Sequence, residues 1–172
     1  GLYAVEVYDN EDAVAANVTT VTAQPNEDVS GTGTTQGTWR EDDTTTTTTI
    51  YSEIDETTLD LTDYIYTVTN SDTATPNAYY GRFNTGGLSL TGKRILSVTL
   101  RIRTMTVTDR LNGLFSAGLN LSSVDYDAFT LQTNADVWWE HEWKNNPSTG
   151  LAWTIAQVQA LDTTDEWYIR IK

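Results

Sequence analysis

The chain has 172 residues and a mass of 19.1 kDa, room for one domain and little for two. It contains no cysteine and one histidine, which excludes disulfides, thiol nucleophiles, Cys-based zinc sites and a multi-histidine metal centre within one chain. Ten Lys plus Arg against 24 Asp plus Glu leave a net charge of −14, and such a surface repels phosphates and anionic lipid, so neither nucleic acid nor a membrane is an expected partner.

Hydrophobic residues make up 38% of the chain, enough for a core, and no apolar run approaches the roughly 18 residues of a membrane helix. Thirty-two threonines, with abundant Tyr, Trp, Val and Ile, suit pleated and half-buried surfaces. The start, Gly1 to Val7, has neither the basic nor the long apolar region of a signal peptide, so synthesis in the cytoplasm, or a leader already removed, is expected.

Taken in chain order, Tyr3, Val5 and Val7 alternate with small or polar residues and predict a short strand. Residues 9–49 hold many Thr, Gly, Asn and Asp, the run Thr44 to Thr49, and few large apolar groups: Val14, Val18, Val21, Val29 and Trp39. Such a segment buries little surface by itself. It reads either as a surface loop with an edge strand or as an interaction arm that becomes ordered when a partner offsets its entropy. The expected division is an extended Thr-rich arm or edge segment over 1–50 and a β-sandwich domain over 51–172.

From Tyr51 onward the strand signals are regular. Tyr64, Tyr66 and Val68 share one face before the turn Asn70-Ser71-Asp72, and Tyr79 to Phe83 reads as a strand stopped by Gly86-Gly87. Arg94 to Val107 is the strongest: Leu96, Val98, Leu100 and Ile102 on one face, Thr99, Arg101 and Arg103 on the other. Its apolar parity then shifts to Met105 and Val107, which predicts a bulge or a change of sheet. Further strands are expected at Phe115–Leu121, from Phe129 and Leu131, at Val137–Trp143, and at Glu166–Lys172 with Trp167, Ile169 and Ile171 inward and Tyr168 and Arg170 outward. One short helix is predicted over 154–161. Thr154 and Gln157 form a capping box, Trp153 and Val158 a hydrophobic staple, and Ile155, Val158 and Leu161 share a face. Together these elements predict an all-β fold, an antiparallel two-sheet sandwich of jelly-roll type with that one helix.

Two constellations bear on chemistry. Trp138-Trp139-Glu140-His141-Glu142-Trp143 would place Trp138, Glu140 and Glu142 on one face of a strand and Trp139, His141 and Trp143 on the other. Trp138, Trp139 and Trp143 are candidates for stacking on a glycan, and Glu140 with Glu142, about 7 Å apart on a strand, for a glycosidase pair. The plainer alternative is a strand with a buried tryptophan face and a wet charged face, and the Glu-x-Asp-x-x-Glu pattern of sandwich glycosidases is absent. Acidic clusters at Asp9–Asp12, Glu41-Asp42-Asp43, Asp125/Asp127 and Asp162/Asp165/Glu166 supply the oxygen ligands calcium favours, yet none has EF-hand spacing, and solvated acidic loops account for them equally. No Gly-x-Ser-x-Gly elbow or phosphate-binding glycine loop occurs, so no catalytic residue and no cofactor is assigned.

Ile54-Asp55-Glu56 running into Asp63-Tyr64-Ile65-Tyr66-Thr67, then Arg94 to Ile102, then Asn146-Pro147-Ser148-Thr149-Gly150-Leu151-Ala152-Trp153-Thr154 with its helix, resemble in this order a diffuse group of β-sandwich proteins of tailed bacteriophages and related viruses. The resemblance covers roughly 51–172 and is most specific in the Asn-Pro-x-Thr-Gly-x-x-Trp-Thr stretch. It implies a non-enzymatic virion structural protein, a capsid decoration or cement protein or a fibre subunit. Its implied partners are copies of itself and a major capsid or tail protein. A carbohydrate-binding jelly roll that takes a host glycan is the alternative, favoured by six Trp and nine Tyr.

Overall fold

A computed structural model of the chain describes residues 2–9, 18–29, 39–41, 50–54, 64–67, 78–104, 114–132 and 137–171. Its elements are β1 (Leu2–Asp9), β2 (Thr20–Ala23), β3 (Pro25–Asp28), β4 (Trp39–Glu41), a 3-10 turn at Ile50–Glu53, β5 (Ile65–Thr67), β6 (Ala78–Phe83), β7 (Ile95–Thr104), β8 (Leu114–Leu121), β9 (Val124–Gln132), β10 (Val137–Trp143), α1 (Ile155–Gln159) extended by a 3-10 turn at Ala160–Asp162, and β11 (Glu166–Ile171). The first sheet has the order β10-β7-β1-β2, the second β3-β6-β11-β8-β9, and β4 and β5 form a separate ribbon. Every pairing is antiparallel. From β6 to β11 the chain visits the second, first, second, second, first and second sheets, the alternation of a jelly roll.

The two inner faces meet over a core that follows the period of two. In β7, Val98, Leu100 and Ile102 are buried, as are Phe115, Ala117, Leu119 and Leu121 in β8 and Tyr79 and Phe83 in β6. Leu96, expected on the same face, is only half-buried: a register shift between Val98 and Ile95 in the pairing with β1 reverses the parity, and Ile95 takes the core position. The C-terminal strand does not close an edge. It lies at the centre of the second sheet, between β6 and β8, with Trp167 fully buried. Gly81 is required beside it, because a Cβ there would lie 2.6 Å from the Trp167 ring. In β9 the pairs Ala117↔Phe129 and Gly118↔Asp127 leave Ala128 as an extra residue. That bulge reverses parity, so Phe129 and Tyr126 pack against the core while Asp125 and Asp127 face outward.

The expected boundary at residue 50 is not a boundary of the fold. β1 lies inside the first sheet, its register setting Val5 opposite Leu100 and Ala23, and Val7 opposite Val98 and Val21. The chain then passes from β2 in one sheet to β3 in the other through Gln24 alone, with Ala23 and Pro25 buried. Trp39, grouped on sequence with an interaction arm, is a core residue at 3% exposure, its ring 5.8 Å from Phe115 and 6.4 Å from Tyr79. The physical reason is volume: a thinly apolar segment contributes its one large aromatic to a core of aromatic rings, where burial returns most. Of the other arm candidates, Val21 packs against the core, the Val29 amide donates to the Tyr80 carbonyl at 3.2 Å, and Val18 is exposed. Val14, the Thr44–Thr49 run, Val68, the turn at 70–72 and the parity shift at Met105 and Val107 lie outside the described residues.

Candidate functional site

β10 pairs with β7 so that Trp139, His141 and Trp143 stand opposite Ile102, Leu100 and Val98, while Trp138, Glu140 and Glu142 stand opposite Arg103, Arg101 and Thr99. The three candidate stacking tryptophans are therefore divided between the two faces of one strand and form no common platform. Trp143 is buried, Trp139 is half-buried with its Nε1 donating to Thr104 Oγ1 at 3.0 Å, and Trp138 alone is exposed, at 41%. The Trp138 ring takes the Arg101 guanidinium at 5.0 Å and that of Arg103 at 6.0 Å, contacts that hold the ring against its own sheet. Glu140 is committed to Arg101 at 2.7 Å. The inward face continues as an aromatic seam between β10 and β9: Phe129 lies 6.2 Å from Trp139, and His141 4.4 Å from Trp143. Burial lowers the His141 pKa, so this seam holds the imidazole neutral.

The Asn146–Thr154 stretch builds the connection from β10 to α1. Asn146 is buried; its side-chain oxygen accepts from the Ser148 amide at 2.8 Å, and its carbonyl accepts from Gly150 at 2.8 Å and Thr149 at 3.2 Å. Gly150 has φ of +72°, a conformation that favours glycine. Trp153 Nε1 donates to the Trp143 carbonyl at 2.9 Å, tying the helix entry to the end of β10. The capping box is reciprocal: Thr154 Oγ1 accepts from the Gln157 amide at 3.2 Å, and Gln157 Oε1 accepts from the Thr154 amide at 3.0 Å.

The acidic groups are largely engaged by protein donors. Asp162 accepts from Asn26 Nδ2 at 2.7 Å and from the Gly86 amide at 2.9 Å, and Asp165 from the Ser122 amide at 2.9 Å. Among the described residues no three His, Asp or Glu side chains converge on a point that would hold a metal. Asp9 has its side chain, and Asp12, Asp42 and Asp43 lie entirely, outside the described residues.

One polar constellation escaped the sequence reading. Tyr80, Arg82, Asn120, Asp125, Asp127, Glu166, Tyr168 and Arg170 gather on the outward face of the second sheet. Tyr168 leaves the core side, as its alternation predicts, yet it is fully buried. Its hydroxyl donates to Asp127, its ring lies 5.9 Å from Tyr80, and the Arg170 guanidinium sits 5.0 Å above it. Arg170 reaches Asp125 at 2.6 Å, Asp127 at 3.1 Å and Ser116 Oγ at 3.1 Å, and Asn120 Nδ2 donates to Asp125 at 2.6 Å. Burial and the Asp127 carboxylate push the Tyr168 phenol far above its ordinary value. Burial likewise raises Tyr80, and it raises Glu166 against the lowering effect of Arg82. These residues come from four strands separated by dozens of positions, so no local motif announces them.

No family model, curated protein or solved structure matches the chain. No helix among the described residues is long and apolar enough to cross a membrane.

Proposed function

We propose that this chain is a non-enzymatic structural protein of a virion surface, a capsid decoration or cement protein or a fibre subunit. It would assemble with copies of itself and with a larger capsid or tail protein. The observation that carries the reading is the Asn146–Thr154 stretch, the most specific part of the resemblance to phage β-sandwich proteins. Its polar groups are spent on shaping a connection, with Asn146 buried and Trp153 bonded to the Trp143 carbonyl. That is what a shared scaffold requires, whereas a catalytic loop presents uncommitted acids or nucleophiles. The glycosidase alternative is weakened by Glu140, which is paired with Arg101 beside a ring that faces the same side. A net charge of −14 suits a particle surface that must stay dispersed.

The test is quantitative mass spectrometry of virus particles purified from the source of this sequence. The reading expects the chain in fixed stoichiometry with the shell or fibre protein, retained after washing in high salt. Its absence from intact particles, with abundance in the soluble fraction, would overturn the reading.

A further inference from the structure

Residues 145–161 are the longest stretch of the chain without a charged side chain, in a protein of which 20% is charged. Much of the stretch is nonetheless on the surface: Ser148, Thr149, Leu151, Ala152, Thr154 and Ala156 are all exposed. Leu151 is 70% exposed, more than any other large apolar side chain among the described residues. The charges that bound the stretch are Lys144 and Asp162, and the Asp162 carboxylate is turned onto Asn26 Nδ2 and the Gly86 amide.

The loop is shaped before any partner arrives. The Asn146 amide donates to the Leu151 carbonyl at 2.8 Å, the Leu151 amide to Thr149 Oγ1 at 3.2 Å, and the Gly150 amide to the Asn146 carbonyl at 2.8 Å. A bridge between Asn145 and Ala152 closes its base. Both backbone polar groups of Leu151 are thus satisfied inside the loop, and what the loop presents is the apolar side chain. A surface fixed in this way loses little conformational entropy on docking, and a leucine held in water gains free energy only when it is covered.

Charge selects what covers it. With a net charge of −14, two copies of the chain repel over most of their surfaces. A basic partner would be drawn instead to the carboxylates outside this stretch. An uncharged face with a projecting leucine is what a contact between two equally acidic molecules requires. We propose that the surface around Leu151, Ala152 and Ala156 is a self-complementary contact, in which the Leu151 of each copy packs on the same segment of a second copy about a two-fold axis. The proposal rests on the reading that copies of this chain assemble with one another, and it names the surface they use. The contact is small and therefore weak in solution; on a particle, where copies stand side by side, the effective concentration compensates.

The experiment dilutes the full chain, labelled with nitrogen-15, from about 1 mM, a range that detects weak association. Concentration-dependent shifts are expected at the amides of Leu151, Ala152 and Ala156. Raising sodium chloride from about 0.05 M to about 0.5 M screens the repulsion between copies and should tighten association several-fold, whereas a contact made of ion pairs would weaken. Leu151→Ala removes apolar surface from both sides and should weaken association about tenfold or more. Leu151→Asp sets two carboxylates together and should abolish it. Trp138→Ala, at another exposed apolar residue, should leave it unchanged. Near-UV circular dichroism establishes that each variant is folded. Absence of concentration-dependent shifts at about 1 mM chain in about 0.5 M salt would overturn the proposal. So would association that weakens with salt, or shifts that survive Leu151→Asp and vanish with Trp138→Ala. A chain that mass spectrometry finds in particles but that stays monomeric in this titration would refute this contact while the virion reading stands.

Discussion

Trp153 joins two features that its sequence position alone did not connect, and its substitution separates them. The indole is 4% exposed within the core and its Nε1 donates to the Trp143 carbonyl at 2.9 Å, in a buried setting. Trp153→Ala removes both the ring and the donor. Truncating a buried Trp costs about 3–5 kcal/mol, and an orphaned carbonyl adds about 1–3 kcal/mol where water does not reach it. The two overlap, because the cavity left by the ring admits water to the carbonyl, so a total near 5 kcal/mol is expected. Trp153→Phe keeps most of the apolar area and removes only the donor, for about 1–3 kcal/mol. Thr154→Ala leaves the Gln157 amide without its cap and should cost about 1 kcal/mol. Urea titrations followed by tryptophan fluorescence and circular dichroism would rank Trp153→Ala, Trp153→Phe and Thr154→Ala in that order of loss, with unchanged slopes. A Trp153→Phe variant as stable as the parent, together with a loss below about 1 kcal/mol for Trp153→Ala, would refute the joint role of ring and donor.

Three further outcomes are expected. Trp39→Ala should cost about 3–5 kcal/mol, and deletion of 9–49 should unfold the remainder, because β2, β3 and Trp39 belong to both sheets and the core; hydrogen exchange should find residues 20–28 protected in the isolated chain, and rapid exchange there would return this segment to the status of a free arm. Ser122 and Ser123 hold φ of 53° and 67° in the two-residue β8–β9 turn, so replacing them with Asn-Gly should raise stability by about 1 kcal/mol, read as an upward shift in Tm, and a fall would show that the turn is not strained. Burial raises the Glu166 pKa, so the folded state holds that proton more tightly than the unfolded state: its contribution is greatest below the ordinary glutamate value and is lost as pH rises through the raised one. Glu166→Gln should therefore be slightly more stable than the parent at pH 7, with the difference closing in acid, and a difference that widens in acid would reverse the sign assigned here.

Much of the architecture was legible because it depends on local periodicity. Val98, Leu100 and Ile102 alternate into the core, Trp139, His141 and Trp143 separate from Trp138, Glu140 and Glu142, and Thr154 with Gln157 caps the helix as their spacing requires. The rest depends on pairings that spacing does not encode. Pro25-Asn26-Glu27-Asp28 falls in the segment that reads as a surface loop with an edge strand or as an arm, and it is an edge strand, bulged at Asn26 and anchored through Asp28, which accepts the amides of Ile50 and Tyr51 and the Tyr79 hydroxyl. Asp125 and Asp127 share parity with Phe129, and only the extra residue Ala128 sends the acids and the ring to opposite faces. Tyr168 alternates outward as its position dictates, and is buried all the same because Arg170, Asp127 and Tyr80 close over it. Composition made the Trp-rich strand the conspicuous candidate. The Tyr80–Glu166 face was hidden because β11 lies beside β6 and β8 across 46 to 92 positions of sequence, a proximity set by topology.

Cryo-electron microscopy of intact particles purified from the source of this sequence tests the virion assignment most directly. The account predicts repeated density on the outer surface of the head or along a fibre, into which the four-stranded and five-stranded sheets dock as one sandwich, with copies in mutual contact. Particles whose outer surface is fully accounted for by other chains, with no density for this sandwich at any position, would contradict it.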